Sequence, residues 1–384
     1  MVLIRSANTH PNNPAPTIKK SVLIFFICSI NIFIVKLYKK TSIYILAPSN
    51  IATGGPEALH QLGYVIKNFT PYKKIFMNYY PTSRKSSVHS NYKSYNLKTA
   101  IKIIDKKENL LIIPEISTFI SLSKKYKHVQ KCIWWLSLDN YIISYFESNN
   151  HRFFKSLIKL PYKLIYWFNK FTIYNFGNIT FNDYLKFLYI KLNFSNIFSF
   201  PSISGHFTQS LYVKKILNKK KLKTKNLSDY LKDDFLFKKS LKKKNKNNLI
   251  AYNPTKSTEF MKEIIKSNTN KTFLPLVNLT KKEVIKTLKK TKIYFDFGTH
   301  PGKDRIPREA AILGNCIITN KNGSAKNNYD LSISSSFKFT EKKKNLKNIK
   351  IMIEKIFAKN LLEQKKFNLY IKKIYSEKKI FIKE

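Results

Sequence analysis

Short apolar runs that stop at turn residues, each followed by a helix-compatible stretch, recur in two series along this chain, and no other feature constrains the fold as tightly. The first series opens at Ser42–Ala47, stops at Pro48, and passes through Thr53-Gly54-Gly55-Pro56-Glu57 into a helix beginning near Ala58. Strand, glycine turn and helix in that order make the opening unit of a doubly wound parallel sheet. Strands are expected at Ile75–Asn78, Leu110–Ile113 and Cys132–Leu136, and weaker ones at Ile179–Phe181 and Ile197–Phe200. Helices are expected at Leu97–Ile104 and Ile116–Tyr126. The second series runs through strand Leu249–Tyr252, helix Thr258–Lys266, strand Thr272–Pro275, helix Lys281–Lys290, strand Ile293–Phe297, helix Pro307–Leu313 and strand Cys316–Thr319. Two such series imply an α/β protein with two Rossmann-like parallel-sheet domains facing a cleft.

The expected boundaries follow changes in composition. Residues 1–40 read as an N-terminal extension, 41–206 as the first domain, and 207–248 as a lysine-rich linker with Lys242–Asn248 as a solvated run. Residues 249–340 read as the second domain and 341–384 as a helical segment without Pro or Gly. The apolar run Val22–Val35 has lysines on both sides, and its 14 residues fall short of a comfortable bilayer span, which takes ~20.

The net charge of +49 invites a nucleic-acid reading, but only five of the 71 basic residues are arginine. Readers of base edges and bidentate phosphate contacts depend on Arg. The excess of Lys beside Asn, Ile, Phe and Tyr is what an AT-rich genome writes at tolerant surface positions. No specific nucleic-acid partner is therefore expected. A charge this large still favours an anionic membrane surface. Cys28, Cys132 and Cys316 lie far apart in apolar runs, with neither a disulfide framework nor zinc spacing, which suits a reducing cytoplasm. The resulting expectation is a cytoplasmic body held peripherally at the inner membrane face.

Chemistry concentrates where glycine does. Two of the nine glycines are Gly54 and Gly55, and four more lie between positions 298 and 323. The richest stretch, Phe297-Gly-Thr-His-Pro-Gly-Lys-Asp-Arg-Ile-Pro-Arg-Glu-Ala-Ala-Ile-Leu-Gly314, follows an apolar strand and leads into a helix opened by Pro307. Lys303, Arg305 and Arg308 gather at that helix N-terminus, where free N–H groups favour anions, and together they predict a diphosphate seat. Glu309 in the first turn is placed to accept hydrogen bonds from ribose hydroxyls, or simply to complement the helix dipole. In the first domain Trp134-Trp-Leu-Ser-Leu-Asp139-Asn140-Tyr141 ends a strand with a carboxylate and aromatic rings. Asp139 is the first candidate for an acceptor-side base and Glu115 the second, with helix capping the competing role for Asp139. Core or surface roles suit Glu57 and His60 better.

At this point the sequence resembles a family. Pro307-x-Glu309-Ala310-x3-Gly314-x-Cys-Ile-Ile-Thr319 is similar to the nucleotide-binding segment of GT-B glycosyltransferases, and to bacterial polysaccharide-cluster proteins that share the Ala-Thr-Gly-Gly-Pro-Glu, Trp-Trp-Leu-Ser-x-Asp-Asn-Tyr and His-Pro-Gly-Lys-Asp-Arg-Ile-Pro-Arg-Glu-Ala patterns. The resemblance covers about residues 42–335. It implies that Glu309 holds the ribose, that Lys256 in Tyr252-Asn253-Pro254-Thr255-Lys256 contacts the donor diphosphate, and that Gly54 and Gly55 face donor and acceptor. It further implies a nucleotide-sugar donor, a glycan or lipid-linked acceptor in surface polysaccharide synthesis, and no cofactor. Many retaining members carry a sugar-facing glutamate eight residues before the ribose glutamate. Here Pro301 stands at that position, with Asp304 the nearest substitute. Neither Asp-x-Asp nor a His/carboxylate cluster is apparent, so no metal is expected. Two other readings stay open: a non-catalytic GT-B-like subunit that binds nucleotide or a partner, and a polybasic membrane- or nucleic-acid-binding protein.

Overall fold

The computed structural model describes residues 35–81, 87–148, 198–200, 202–236 and 246–384. The first domain is built on β1 (Ile43–Pro48), β2 (Ile75–Tyr80), β3 (Lys98–Thr99), β4 (Leu110–Pro114), β5 (Gln130–Trp135), β6 (Gly205–Thr208) and β7 (Thr224–Asn226). They pair in parallel in the order β3-β2-β1-β4-β5-β6-β7. Alternate residues of β1 feed two separate cores. Ile43, Ile45 and Ala47 pack on one face, Tyr44 and Leu46 on the other. A strand buried on both faces needs an apolar residue at every position, which is why β1, β4 and β5 read as continuous runs. Each fully buried aliphatic side chain there contributes about 1.5–3 kcal/mol. Helices α1 (Gly54–Phe69), α2 (Ser117–Ser123), α3 (Leu138–Ser148), α4 (Leu211–Lys219) and α5 (Asp233–Leu236) complete the described part of this half.

The second sheet contains β8 (Asn247–Tyr252), β9 (Thr272–Pro275), β10 (Thr291–Asp296), β11 (Cys316–Asn320) and β12 (Lys338–Phe339), in the parallel order β12-β11-β10-β8-β9. Helices α6 (Glu259–Lys266), α7 (Lys281–Lys290), α8 (Ile306–Ile312), α9 (Asn345–Ala358), α10 (Asn360–Lys365) and α11 (Asn368–Lys383) belong to this half. α7 starts where a reciprocal capping box forms between Thr280 and Glu283. The chain is thus an α/β protein of two parallel-sheet domains, as the two series predict.

Several expectations are corrected. Of the expected linker, 237–245 lie outside the described residues, whereas residues 207–236 supply part of β6, all of β7, α4 and α5, and so extend the first domain well past 206. Their lysines sit on exposed helix faces and an edge strand, which composition alone cannot tell from a solvated connection. Lys246, expected in a solvated run, is half-buried, and its ammonium donates to the carbonyls of Leu288 (2.7 Å) and Thr291 (2.9 Å) at the end of α7. The segment 97–104 is not a helix. It forms β3, and Ala100 donates to the Met77 carbonyl at 2.9 Å to extend the pairing with β2. α1 begins at Gly54 rather than near Ala58, so the glycine pair is the first turn of the helix. Phe198 and Phe200 pack around Trp135 instead of forming a strand, and β6 takes that place beside β5. The expected strand 179–181 and residues 22–34 of the apolar run lie outside the described residues. The end of the expected extension is docked on the first domain, since the Lys36 backbone exchanges hydrogen bonds with the Gln130 side chain at 2.7 Å each way. Among the described residues no helix is long and apolar enough to cross a membrane.

The last helix crosses back. On α11, Phe381 stacks on Trp134 of the first core at 6.1 Å, and Glu384 accepts from the Ser228 backbone and hydroxyl at 2.6 Å. The helical tail therefore ties the two halves together.

Candidate active site

In open parallel sheets ligands bind beyond the carboxyl ends of the strands, where the strand order reverses. The first sheet reverses between β1 and β4, the second between β8 and β10. Gly54 and Glu115 follow β1 and β4, whereas Lys256 and the segment His300–Glu309 follow β8 and β10. The two reversal points meet. Leu138 N donates to the Pro301 carbonyl at 3.1 Å, and Lys303 N donates to Gln209 Oε1 at 3.2 Å. Gly302 is required at this contact, because a Cβ there would lie 2.1 Å from the Leu136 carbonyl oxygen.

The glycine turn and Arg305 face each other across this junction. Thr53 opens α1 without a side-chain cap, leaving first-turn N–H groups available to an anion. The position of a Gly54 Cβ would lie 2.9 Å from Arg305 Cδ. The Arg305 guanidinium reaches Glu57 of the first domain at 3.0 Å, with Glu309 of its own helix 3.9 Å away. Burial raises the Glu309 pKa and the charges of Arg305 and Arg308 oppose that rise. Beneath the turn, Tyr92 donates to the Thr53 carbonyl at 3.0 Å and stacks on His60, so His60 has the packing role expected of it.

Lys256, half-exposed at 55%, is paired with Asp304 at 2.9 Å. The approach depends on Gly298, where a Cβ would stand 3.0 Å from the Lys256 carbonyl oxygen. On its other side Asp304 meets His300 Nδ1 at 3.1 Å, while His300 Nε2 lies 2.9 Å from the Asp296 carbonyl. A carbonyl only accepts and an ionised carboxylate only accepts, so both ring nitrogens donate and the ring is an imidazolium. Burial alone would lower the His300 pKa, but Asp296 and Asp304 outweigh it and raise it. Burial alone would likewise raise that of Asp304, yet His300 and Lys256 hold it well below the usual carboxylate range.

This cluster was not apparent in the sequence. Asp296, His300 and Asp304 bring one ligand atom each to within 4.8 Å of one another, the geometry of a metal site. Its bonding fits protein cations better. The imidazolium has no lone pair to give, and the Lys256 ammonium already meets Asp304. Two cations already balance two carboxylates, so a divalent ion would have to displace the His300 proton or the Lys256 ammonium to bind here.

In the first domain Asp139 lies in the first turn of α3. Burial raises its pKa and the charge of Asp304 adds to this, while the Thr299 side chain, from the second domain, opposes it. Glu115 is buried beneath the β5–α3 turn and accepts from Leu136 N at 3.2 Å. Burial pushes its pKa up to about 7 despite the Leu136 and Ser137 N–H groups that favour its charge. Glu115 thus holds the turn that carries Asp139 and is itself shut off from solvent.

The expected diphosphate seat loses two members. Arg308 and its partners Asp229 and Glu377 are 1%, 1% and 4% exposed, with bonds of 2.7 and 2.8 Å. Lys303 joins the same group, 2.8 Å from Glu377. These two cations are spent on a buried ion cluster that joins α8, α11 and the segment before α5. Gly54, Gly55, Lys256, Arg305, Glu309, Asp139 and Asp304 remain around the junction.

No protein-family model matches this sequence, and no curated protein matches it. Solved structures share the fold. Sucrose-phosphate synthase from Thermosynechococcus elongatus superposes with a TM-score of 0.52 at 9% identity, over 88% of this chain and 95% of that one. The N-terminal domain of Candida albicans trehalose-6-phosphate phosphatase gives 0.50 at 6% identity, over 89% and 96%. Anabaena HepE, solved with UDP, gives 0.44 at 10% identity, over 88% and 95%. At such identities the likeness shows architecture alone: the two-domain arrangement called GT-B.

Proposed function

We propose that this chain is a glycosyltransferase that takes a sugar from a nucleoside-diphosphate donor and passes it to a glycan or lipid-linked acceptor in surface polysaccharide synthesis. One observation carries the reading. The reversal points of both sheets converge on an uncapped helix N-terminus, a half-exposed ammonium and a guanidinium, with two acidic side chains beside them. The α1 N-terminus, Lys256 and Arg305 would hold the diphosphate, and Glu309 the ribose. For Arg305 to take the diphosphate it must leave Glu57. Asp139 would accept the proton of the acceptor hydroxyl as its oxygen bonds to the anomeric carbon. The bond from that carbon to the diphosphate breaks, and the developing charge falls to fixed cations and helix N–H groups. Because the chain supplies these cations itself, transfer should proceed in EDTA.

The resemblance of the motifs and the GT-B fold, shared with a sucrose-phosphate synthase, support a sugar donor. The large positive charge supports peripheral attachment of a cytoplasmic body to an anionic membrane. A second reading, nucleotide binding without turnover, is favoured by Asp304. With both partners cationic, this carboxylate is not free to face a donor sugar, and Pro301 stands where the family glutamate would.

Incubation of the full chain with UDP-, GDP- and CMP-sugars tests these readings. Slow hydrolysis or transfer of one donor supports the enzyme, and binding without turnover supports the second reading. Failure of every donor to bind would overturn both.

A further inference from the structure

We propose that Asp304 is a positioning residue, held by the His300 imidazolium so that it fixes the Lys256 ammonium at the mouth of the diphosphate site. The inference rests on the donor-seat reading above and assigns Asp304 a different task from the sugar-facing or acid–base role its place in the sequence suggests.

Three observations carry it. The chain of contacts is continuous and short: Asp296 carbonyl to His300 Nε2 at 2.9 Å, His300 Nδ1 to Asp304 at 3.1 Å, Asp304 to Lys256 Nζ at 2.9 Å. It runs from buried to exposed. His300 is 3% exposed and Asp296 6%, whereas the Lys256 side chain is 55% exposed and is the member that reaches solvent. Its base is fixed by further bonds. Thr319 donates to the same Asp296 carbonyl at 2.8 Å, and the His300 carbonyl accepts from Ser324 N at 2.9 Å. A lysine on a loop otherwise spreads its charge over many rotamers, and each anion bound must freeze them. Anchoring one carboxylate on a buried imidazolium removes that cost in advance. It also leaves Asp304 no proton to give and little tendency to take one.

The sign of one substitution separates this role from its opposite. Asp304→Asn removes a negative charge beside an anion site, so simple Coulomb attraction predicts tighter anion binding. Positioning predicts weaker binding. The test is calorimetry of inorganic pyrophosphate and UDP on the full chain and three variants: Lys256→Met, Asp304→Asn and the double variant. Lys256→Met should weaken binding about tenfold, and Asp304→Asn by a similar factor. The double variant should lose little beyond Lys256→Met, because the two residues act as one unit; a merely structural role would give losses that add. Unchanged or tighter binding in Asp304→Asn overturns the proposal while leaving the donor seat standing. Absence of any binding to the unaltered chain overturns the donor seat, and this proposal with it. Should Asp304→Asn fail to fold, His300→Gln carries the same test. It leaves the Asp304–Lys256 pair in place but unanchored, so a loss of about threefold is expected and no loss overturns the inference.

Discussion

Arg308 donates to Asp229 at 2.7 Å, and each side chain is 1% exposed. An arginine buried this deeply among Asp229, Glu377 and Lys303 holds segments together and has no charge to offer a ligand. Removing it leaves two buried carboxylates with Lys303 as the remaining cation of the cluster. Arg308→Ala should therefore destabilise the fold by about 3–5 kcal/mol in denaturant titrations. Whatever fraction stays folded should bind nucleotide with unaltered affinity. A stable Arg308→Ala protein with weakened donor binding would return this residue to the diphosphate seat.

Glu309 distinguishes ribose binding from helix-dipole complementarity. If its carboxylate accepts from ribose hydroxyls, Glu309→Gln should weaken binding of a ribonucleoside diphosphate by about tenfold and of its dideoxy analogue far less. Equal losses for the two ligands in calorimetry would leave it as a charge at the helix start.

How far the sequence reveals this molecule depends on which half is read. The second domain is legible almost strand by strand. β9 and α7 fall at their expected bounds, because Pro275 ends an apolar run and the Thr280–Glu283 box opens the helix. The end of the first domain is hidden. β7 is three residues on a sheet edge, and its Thr-Lys-Asn carries no apolar signal. Lysine is the second source of error. Lys131, Lys246 and Lys338 look like surface residues in a lysine-rich chain, yet all three are turned onto carbonyls at or near element ends. The site is partly legible. Motif spacing picks out Lys256, Arg305 and Glu309, which do gather at the junction. It could not show that Asp229 and Glu377 meet Arg308, since they lie 79 residues before it and 69 after it. Rarity of Arg was a fair signal, but Arg suits a buried bidentate pair as well as a phosphate. The Asp296–His300–Asp304 cluster goes unread in the sequence, because nothing there shows the turn after β10 that folds a spacing of four into one site.

Glu115 should leave a mark on the pH dependence of stability. Its folded-state pKa is raised, so the folded protein binds this proton more tightly than the unfolded chain does. Stability from this group is fully present below about pH 4.5 and falls as pH rises towards 7. The change across that window is at most on the order of 3 kcal/mol. Glu115→Gln should flatten the fall in melting temperature between roughly pH 5 and pH 8. An identical slope in the variant would mean that the carboxylate is ionised at little cost.

Membrane attachment by charge is screened by salt, and hydrophobic insertion is not. With ~1 kcal/mol per lysine near an anionic surface, the chain should pellet with membranes at low salt. It should come off near ~1 M salt, where the Debye length shrinks to ~3 Å. A truncation beginning at residue 35, which keeps the Lys36–Gln130 contact, should behave in the same way. A full chain that needs detergent, beside a truncation soluble at every salt concentration, would make the 22–35 run the anchor.

The central claim is that a nucleoside diphosphate takes Arg305 from Glu57 at the junction of the two domains. Calorimetry of the nucleoside diphosphate chosen by the donor screen, on Arg305→Ala and Glu57→Gln, measures this with two opposite signs. Arg305→Ala should weaken binding by about 1.5–3 kcal/mol, as for a lost charge-assisted hydrogen bond. Glu57→Gln should strengthen it by about threefold or more, because the competing carboxylate is gone. Unchanged affinity in both variants would contradict the account.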